Sequence, residues 1–125
     1  QIIKNLDAFH RICIASFSSK RLKLVKDHFP ETCLSMGPKE ILKLLLSSYG
    51  LYTKKVQGDC LQIPIRQYGI KLVTKRFITF VQSMGLKIHV WTINDAHTMK
   101  KLINLGVDGI ITDRPKLLKD ILSKT

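Results

Sequence analysis

The residues best suited to chemistry gather late in the chain, in IHVWTINDAHTMKKLINLGVDGIITDRP, Ile88 to Pro115. An apolar run ends on the only tryptophan, Trp91, with Thr92, Asn94 and Asp95 close behind it. A Trp at a strand end offers a flat apolar wall and one N–H donor, which suits a small ligand with polar and apolar faces. Strand alternation sets His89 and Trp91 on one face and Ile88, Val90 and Thr92 on the other. The aliphatic set suits packing against helices, which turns Trp91 toward a pocket. His89 lies deeper on the Trp91 face and reads as a hydrogen-bonded core residue. Asn94 and Asp113 each precede a helix-like run and read as cap or turn residues. Gly106 and Gly109 read as backbone requirements.

Three more residues join Trp91 as candidate pocket residues. Gln62 is the polar member of CLQIPI (60–65), placed to bond a ligand oxygen or a neighbouring backbone group. Ser16 and Phe17 close RICIASF (11–17), and alternation turns one of the two inward. Beyond these the sequence offers no nucleophile–base pair and no metal-ligand spacing, so no catalytic residue and no metal ligand is expected. Cys13, Cys33 and Cys60 are too widely spaced for a zinc motif and read as small buried residues of a reducing compartment. His10, His28 and His97 read as surface or structural.

The elements that must position these residues follow one rhythm of apolar run, polar punctuation and helical stripe. Strands are expected at 11–17, 32–36, 60–65, 87–92 and 108–112, with Pro64 near the end of the third. Ser18 or Ser19 caps a helix bearing Leu22, Val25 and Phe29, which Pro30 stops. Pro38 starts a helix with Ile41, Leu44, Leu45 and Tyr49. Thr74 opens one with Phe77, Phe80, Val81 and Met84, ended by Gly85. Asn94 or Asp95 opens the next, and Asp113 with Pro115 opens the last. Strand starts recur every 20 to 28 residues or so, the cadence of βα units in a parallel sheet. Neither G-x-G-x-x-G nor a P-loop follows a strand, so the choice lies between another doubly wound sheet and part of a (β/α)8 barrel.

The chain has 125 residues, 45% of them hydrophobic, enough for one core. It is therefore read as one domain spanning 1–125. No apolar run reaches the roughly 20 residues a membrane span needs. QIIKNLDAFHR at the start lacks the form of a signal peptide, and a cytoplasmic location is expected. That start has no Met and reads as helix, so sequence is expected before it. The formal charge is +12, from 21 Lys plus Arg against 9 acids. The lysines are dispersed and not interleaved with aromatics, so nucleic acid is not the expected partner.

Several of these runs together resemble one family. VWTIND followed by GVDGIITDRP is similar to the C-terminal signature of glycerophosphodiester phosphodiesterases. ASF at 15–17, SMGPKE at 35–40 and LQIPIRQYGIKLVTKRFI at 61–78 resemble further pieces of that family, in order. The resemblance implies an α/β fold whose parallel βα units form the C-terminal half of a (β/α)8 barrel. It implies hydrolysis of glycerophosphodiesters to glycerol 3-phosphate and an alcohol. It also implies a divalent metal, magnesium or calcium, that polarises the phosphate while histidines move protons. Trp91 would then wall the pocket near the glycerol moiety. The family's catalytic motifs, His-Arg-Gly, Glu-x-Asp, His-Asp and Glu-x-Lys, do not occur at strand ends here. His10-Arg11 is followed by Ile12 and precedes its strand. The chain is therefore expected to lack the N-terminal half, to bind no metal of its own and to be inactive alone. It is also expected to self-associate or to pair with the missing half. The alternative reading is a non-catalytic half-barrel module for binding or assembly.

Overall fold

A computed structural model describes residues 2–51 and 58–124 of the protein. They belong to two compact units, Gln1–Leu61 and Gln62–Thr125. The first unit runs α1 (Ile2–Asn5), a 3-10 turn (Phe9–Arg11), β1 (Cys13–Ile14), α2 (Ser19–His28), β2 (Cys33–Leu34), α3 (Pro38–Ser48) and the opening of β3 (Cys60–Ile63). Strands β1 and β2 pair in parallel, Cys13 opposite Cys33 and Ile14 opposite Leu34. A parallel bridge then joins Ser35 to Cys60. The Ser18 hydroxyl accepts the Arg21 N–H at the start of α2, as its position before the first helical residue predicts. Pro38 begins α3, where its missing N–H costs nothing. Leu22, Leu34, Met36, Ile41, Leu44 and Leu61 are buried in this unit. Phe29, expected on the apolar face of α2, is instead partly exposed and stacks on Phe9 at 5.3 Å between ring centroids.

The second unit continues β3 and adds β4 (Arg66–Gln67), β5 (Ile70–Lys71), α4 (Lys75–Ser83), β6 (Lys87–Val90), α5 (Ala96–Leu105), β7 (Gly109–Ile110) and α6 (Pro115–Leu122). Its three-stranded sheet has the order β3-β6-β7, and β6 pairs with β7 in parallel. Thr74 caps α4 and Asp95 caps α5, each side chain accepting an N–H three residues on. Phe77, Ile78 and Val81 on α4, Ile88 and Val90 on β6, and Met99 and Leu102 on α5 are all buried. Full burial stabilises such side chains by roughly 1.5–3 kcal/mol each. Helix α4 also closes the end of α5: Lys75 Nζ donates to the Leu105 carbonyl at 3.3 Å and Gln82 Nε2 to the Gly106 carbonyl at 2.7 Å. Those are carbonyls that a helix C-terminus leaves without an internal partner.

The helices stand where caps and periodicity place them; the strands are shorter than their apolar runs. RICIASF yields only Cys13–Ile14 as strand, because Arg11 belongs to the 3-10 turn and Ser16 turns the chain. CLQIPI stops at Ile63, ahead of Pro64. The antiparallel hairpin of β4 and β5 was not expected. Its two-residue loop, Tyr68-Gly69, has φ of 50° and 78°, the left-handed pair that matches the twist of a tight hairpin.

Both units repeat one backbone device. Asp59, just before β3, donates its N–H to the Leu34 carbonyl at 2.9 Å and accepts the Leu34 N–H on its carboxylate, also at 2.9 Å. Asp108, just before β7, does the same with Ile88, both bonds 3.0 Å long. Each carboxylate also meets a lysine, Lys26 at 3.5 Å from Asp59 and Lys87 at 3.1 Å from Asp108.

Candidate functional site at the strand ends

Trp91 directly follows β6, and its N–H donates to the Ile63 carbonyl at the end of β3, 3.1 Å away. It is half-buried, as are His89 before it and Gln62 on β3. Ile88, Val90, Leu61 and Ile63 between and beside them are fully buried. Alternation therefore separates a helix-facing aliphatic set from a partly open set holding Gln62, His89 and Trp91. The pattern breaks at Thr92, which is exposed where the alternation placed it on the helix-packed face; Ile93 is buried instead. The Trp91–Thr92 peptide is cis.

The segment after Trp91 is stitched to the segment after β7. Ile93 donates to the Ile111 carbonyl at 3.0 Å, and Ile111 to the Val90 carbonyl at 2.9 Å. The Asn94 side chain is the centre of the rest. Its Oδ1 accepts the Thr112 hydroxyl at 3.0 Å and the Asp113 N–H at 2.9 Å, and its Nδ2 donates to the Asp113 carboxylate at 2.9 Å. Arg114 closes the set by donating to the Asn94 carbonyl at 3.3 Å. Asn94 and Asp113 are thus turn residues that fix each other. Neither caps a helix: Asp95 caps α5, and α6 starts without a side-chain cap. The Thr98 N–H bond holds the Asp95 carboxyl below its ordinary value.

Ser16 and Phe17 lie in the first unit, just past β1. The Ser16 hydroxyl accepts the Ser18 N–H at 3.1 Å, a local turn. Phe17 is 80% exposed, unusual for a large apolar side chain. A cleft of about 440 Å³ in this unit is lined instead by α2, Leu34, Glu40 and Asp59. A second cleft, in the other unit, lies between α5 and α6. Neither includes Trp91, Gln62, Ser16 or Phe17.

Sequence spacing gave no sign of one further feature. The Sγ atoms of Cys13, Cys33 and Cys60 all lie within 4.8 Å of one another, those of Cys13 and Cys60 at 3.2 Å. Cys60 is buried, while Cys13 and Cys33 are half-buried. Burial pushes all three thiols up, Cys13 to about 11, with the hydrogen bond to Cys60 adding to it. The signal that brings them together is strand register, which no linear spacing encodes.

Comparison with known proteins adds the following. The model of the glycerophosphoryl diester phosphodiesterase family matches residues 2–117. The chain is 29% identical over 127 aligned positions to the Mycobacterium tuberculosis protein named probable glycerophosphodiester phosphodiesterase 2, covering 97% of this chain and 48% of that protein. It is 28% identical to a glycerophosphodiester phosphodiesterase of Caldanaerobacter subterraneus subsp. tengcongensis, covering 98% of this chain and 46% of that one. The chain thus spans about half the length of these relatives. Among solved structures, a Silicibacter pomeroyi DSS-3 protein assigned to the glycerophosphoryl diester phosphodiesterases superposes with a TM-score of 0.75 at 22% identity, over 98% of this chain and 41% of that one. A glycerophosphodiester phosphodiesterase from Parabacteroides distasonis ATCC 8503 gives 0.62 at 23% identity, over 99% and 48%. The fold is accordingly that of a partial (β/α)8 barrel.

Proposed function

The chain belongs to the glycerophosphoryl diester phosphodiesterase family, and from that premise we propose that it supplies the C-terminal strands of an enzyme hydrolysing glycerophosphodiesters to glycerol 3-phosphate and an alcohol. The observation that carries this reading is the family match over residues 2–117, with Trp91 at the carboxyl end of a parallel strand. In a (β/α)8 barrel that end bears the ligand-binding groups. Trp91 walls the pocket at the glycerol moiety, and the stitched segment around Asn94 holds its backbone in place. Gln62, on the neighbouring strand of the same unit, bonds a substrate oxygen. One of Ser16 and Phe17 plays the corresponding part at the end of β1.

The family implies a hard divalent cation, magnesium or calcium, which takes oxygen ligands. The residues present do not fit one. The one group of three or more His, Cys, Asp or Glu ligand atoms that converges among the described residues is made of thiols. Sulfur is the wrong donor for such an ion. We accordingly assign the enzyme's metal ligands and proton-transferring residues to the half of its relatives that this chain does not span; the chain then forms one partial-barrel domain, inactive by itself. The lack of the family's catalytic motifs equally favours a second reading, a half-barrel that binds without catalysing.

Two measurements test this. The 125-residue chain is expected to release no choline from glycerophosphocholine, with or without magnesium or calcium; hydrolysis abolished by a chelator would overturn its inactivity. Because Trp91 is the only Trp, its fluorescence reports directly on the pocket. A saturable change is expected with millimolar glycerol 3-phosphate. An unchanged spectrum counts against Trp91 as a pocket wall.

A further inference from the structure

The three cysteines converge through strand pairing. Cys13 and Cys33 are direct partners in the parallel register of β1 and β2. Ser35, two residues beyond Cys33 and so on the same face, is bridged to Cys60. Three side chains from three successive strands therefore leave one face at neighbouring positions, and their sulfurs fall within 4.8 Å of one another. We propose that Cys13, Cys33 and Cys60 form an all-sulfur site for a thiophilic d10 metal ion such as copper(I) or zinc(II).

Geometry and donor chemistry both support this. With metal–sulfur bonds of about 2.3 Å, three sulfurs in a trigonal plane stand roughly 4.0 Å apart. The closest pair, Cys13 and Cys60 at 3.2 Å, needs to open by only about 0.8 Å to meet that spacing. The nearby carboxylate of Asp59 is already engaged by the Leu34 N–H and by Lys26, which leaves a sulfur donor set. Soft thiolates select copper(I) and zinc over magnesium and calcium. The half-buried Cys13 and Cys33 give an ion access from solvent. On binding, each thiol passes its proton to solvent and its sulfur lone pair to the metal, with no change of oxidation state. A disulfide would use two of the three sulfurs, would require an oxidant, and would leave the convergence of the third without purpose. The site is independent of the phosphodiesterase reading, since its donors do not suit the hard cation of that reaction.

The test uses the full chain, fully reduced and kept under nitrogen. Titration with cadmium(II), as a spectroscopic probe, is expected to raise a thiolate-to-metal charge-transfer band that saturates at one ion per chain. In separate arms, copper(I) should displace cadmium stoichiometrically and zinc(II) only in excess, since thiolate sulfur holds the softer ion more tightly. Magnesium should have no effect. Cys33→Ala should weaken cadmium binding by about 100-fold or more, as loss of a ligand does at least as much as loss of its supporting contacts. Should that variant unfold, the unmodified chain still decides. Bound cadmium is expected to shield all three thiols from iodoacetamide together. No charge-transfer band, protection of fewer than three thiols, or a Cys13–Cys60 disulfide that persists under reductant would each overturn the proposal.

Discussion

His89 and Gly109 show what a single residue decides. They are register partners across β6 and β7, and a Cβ at Gly109 would stand 2.7 Å from the His89 Cδ2. The sequence marked Gly109 as a backbone requirement, but the requirement is room for the imidazole, and the left-handed φ belongs to Gly106. Overpacking of this kind costs about 1–3 kcal/mol. Gly109→Ala should therefore lower the thermal midpoint, and His89→Ala in the same chain should restore most of the loss. Failure of the double variant to recover would place the strain elsewhere. Asp113 marks the limit of residue-level reading. Its position ahead of Pro115 looks like a cap, yet its carboxylate is taken by Asn94 on another segment, a partner that local sequence does not reveal.

At the scale of elements, the helices were legible and the strands only partly so. Ser18 or Ser19, Thr74, and Asn94 or Asp95 announce α2, α4 and α5 by residue type, and the apolar spacing marks the buried faces of α4 and α5, whereas α2 buries only Leu22 of its stripe. The hairpin of β4 and β5 carries no such pattern. Arg66, Gln67 and Lys71 leave Ile70 as its one apolar strand residue, too little to mark a strand pair by alternation. The pairing of strands through Asp108 was equally hidden, although it can be tested. Burial alone would raise the Asp108 carboxyl, but the bonds from Ile88, Gln82 and Lys87 outweigh it and hold the group below its ordinary value of 3.8. A carboxyl depressed by folding contributes fully above its unfolded value and loses that contribution as pH falls through the folded one. Asp108→Asn should then lower the urea midpoint by a constant amount from pH 7 down to about pH 4, with the gap narrowing below that. A gap that persists unchanged into stronger acid would show that the carboxylate charge contributes nothing.

For the whole molecule, the family was legible from a few strand-end runs, while the three-thiol cluster was not. Motifs such as VWTIND are local; the cluster depends on which strands lie side by side. The chain spans about half of its relatives, and in its three-stranded sheet β7 is paired on one side only among the described residues. An unpaired edge invites another strand. The charge of +12 works against like chains approaching, and salt screens it. Light scattering should therefore give a mass above the 14.3 kDa of one chain, rising with ionic strength. A monomer at every salt concentration would remove edge pairing from the account.

The rings closed by Asp59 with Leu34 and by Asp108 with Ile88 carry a consequence for how such chains are assembled. Each ring uses an aspartate lodged just before one strand to fasten one residue of the strand beside it. A slip of the pair by two residues keeps every side chain on its proper face, so burial alone does not forbid it. The ring opposes it in one direction, because the N–H two residues earlier, of Thr32 or of Leu86, is already bonded to the Phe29 or the Val81 carbonyl. Each strand pair thus carries its own alignment mark, written within the unit that uses it. A unit duplicated, transplanted or joined to a foreign half is expected to find its register from its own aspartate, without instruction from distant sequence.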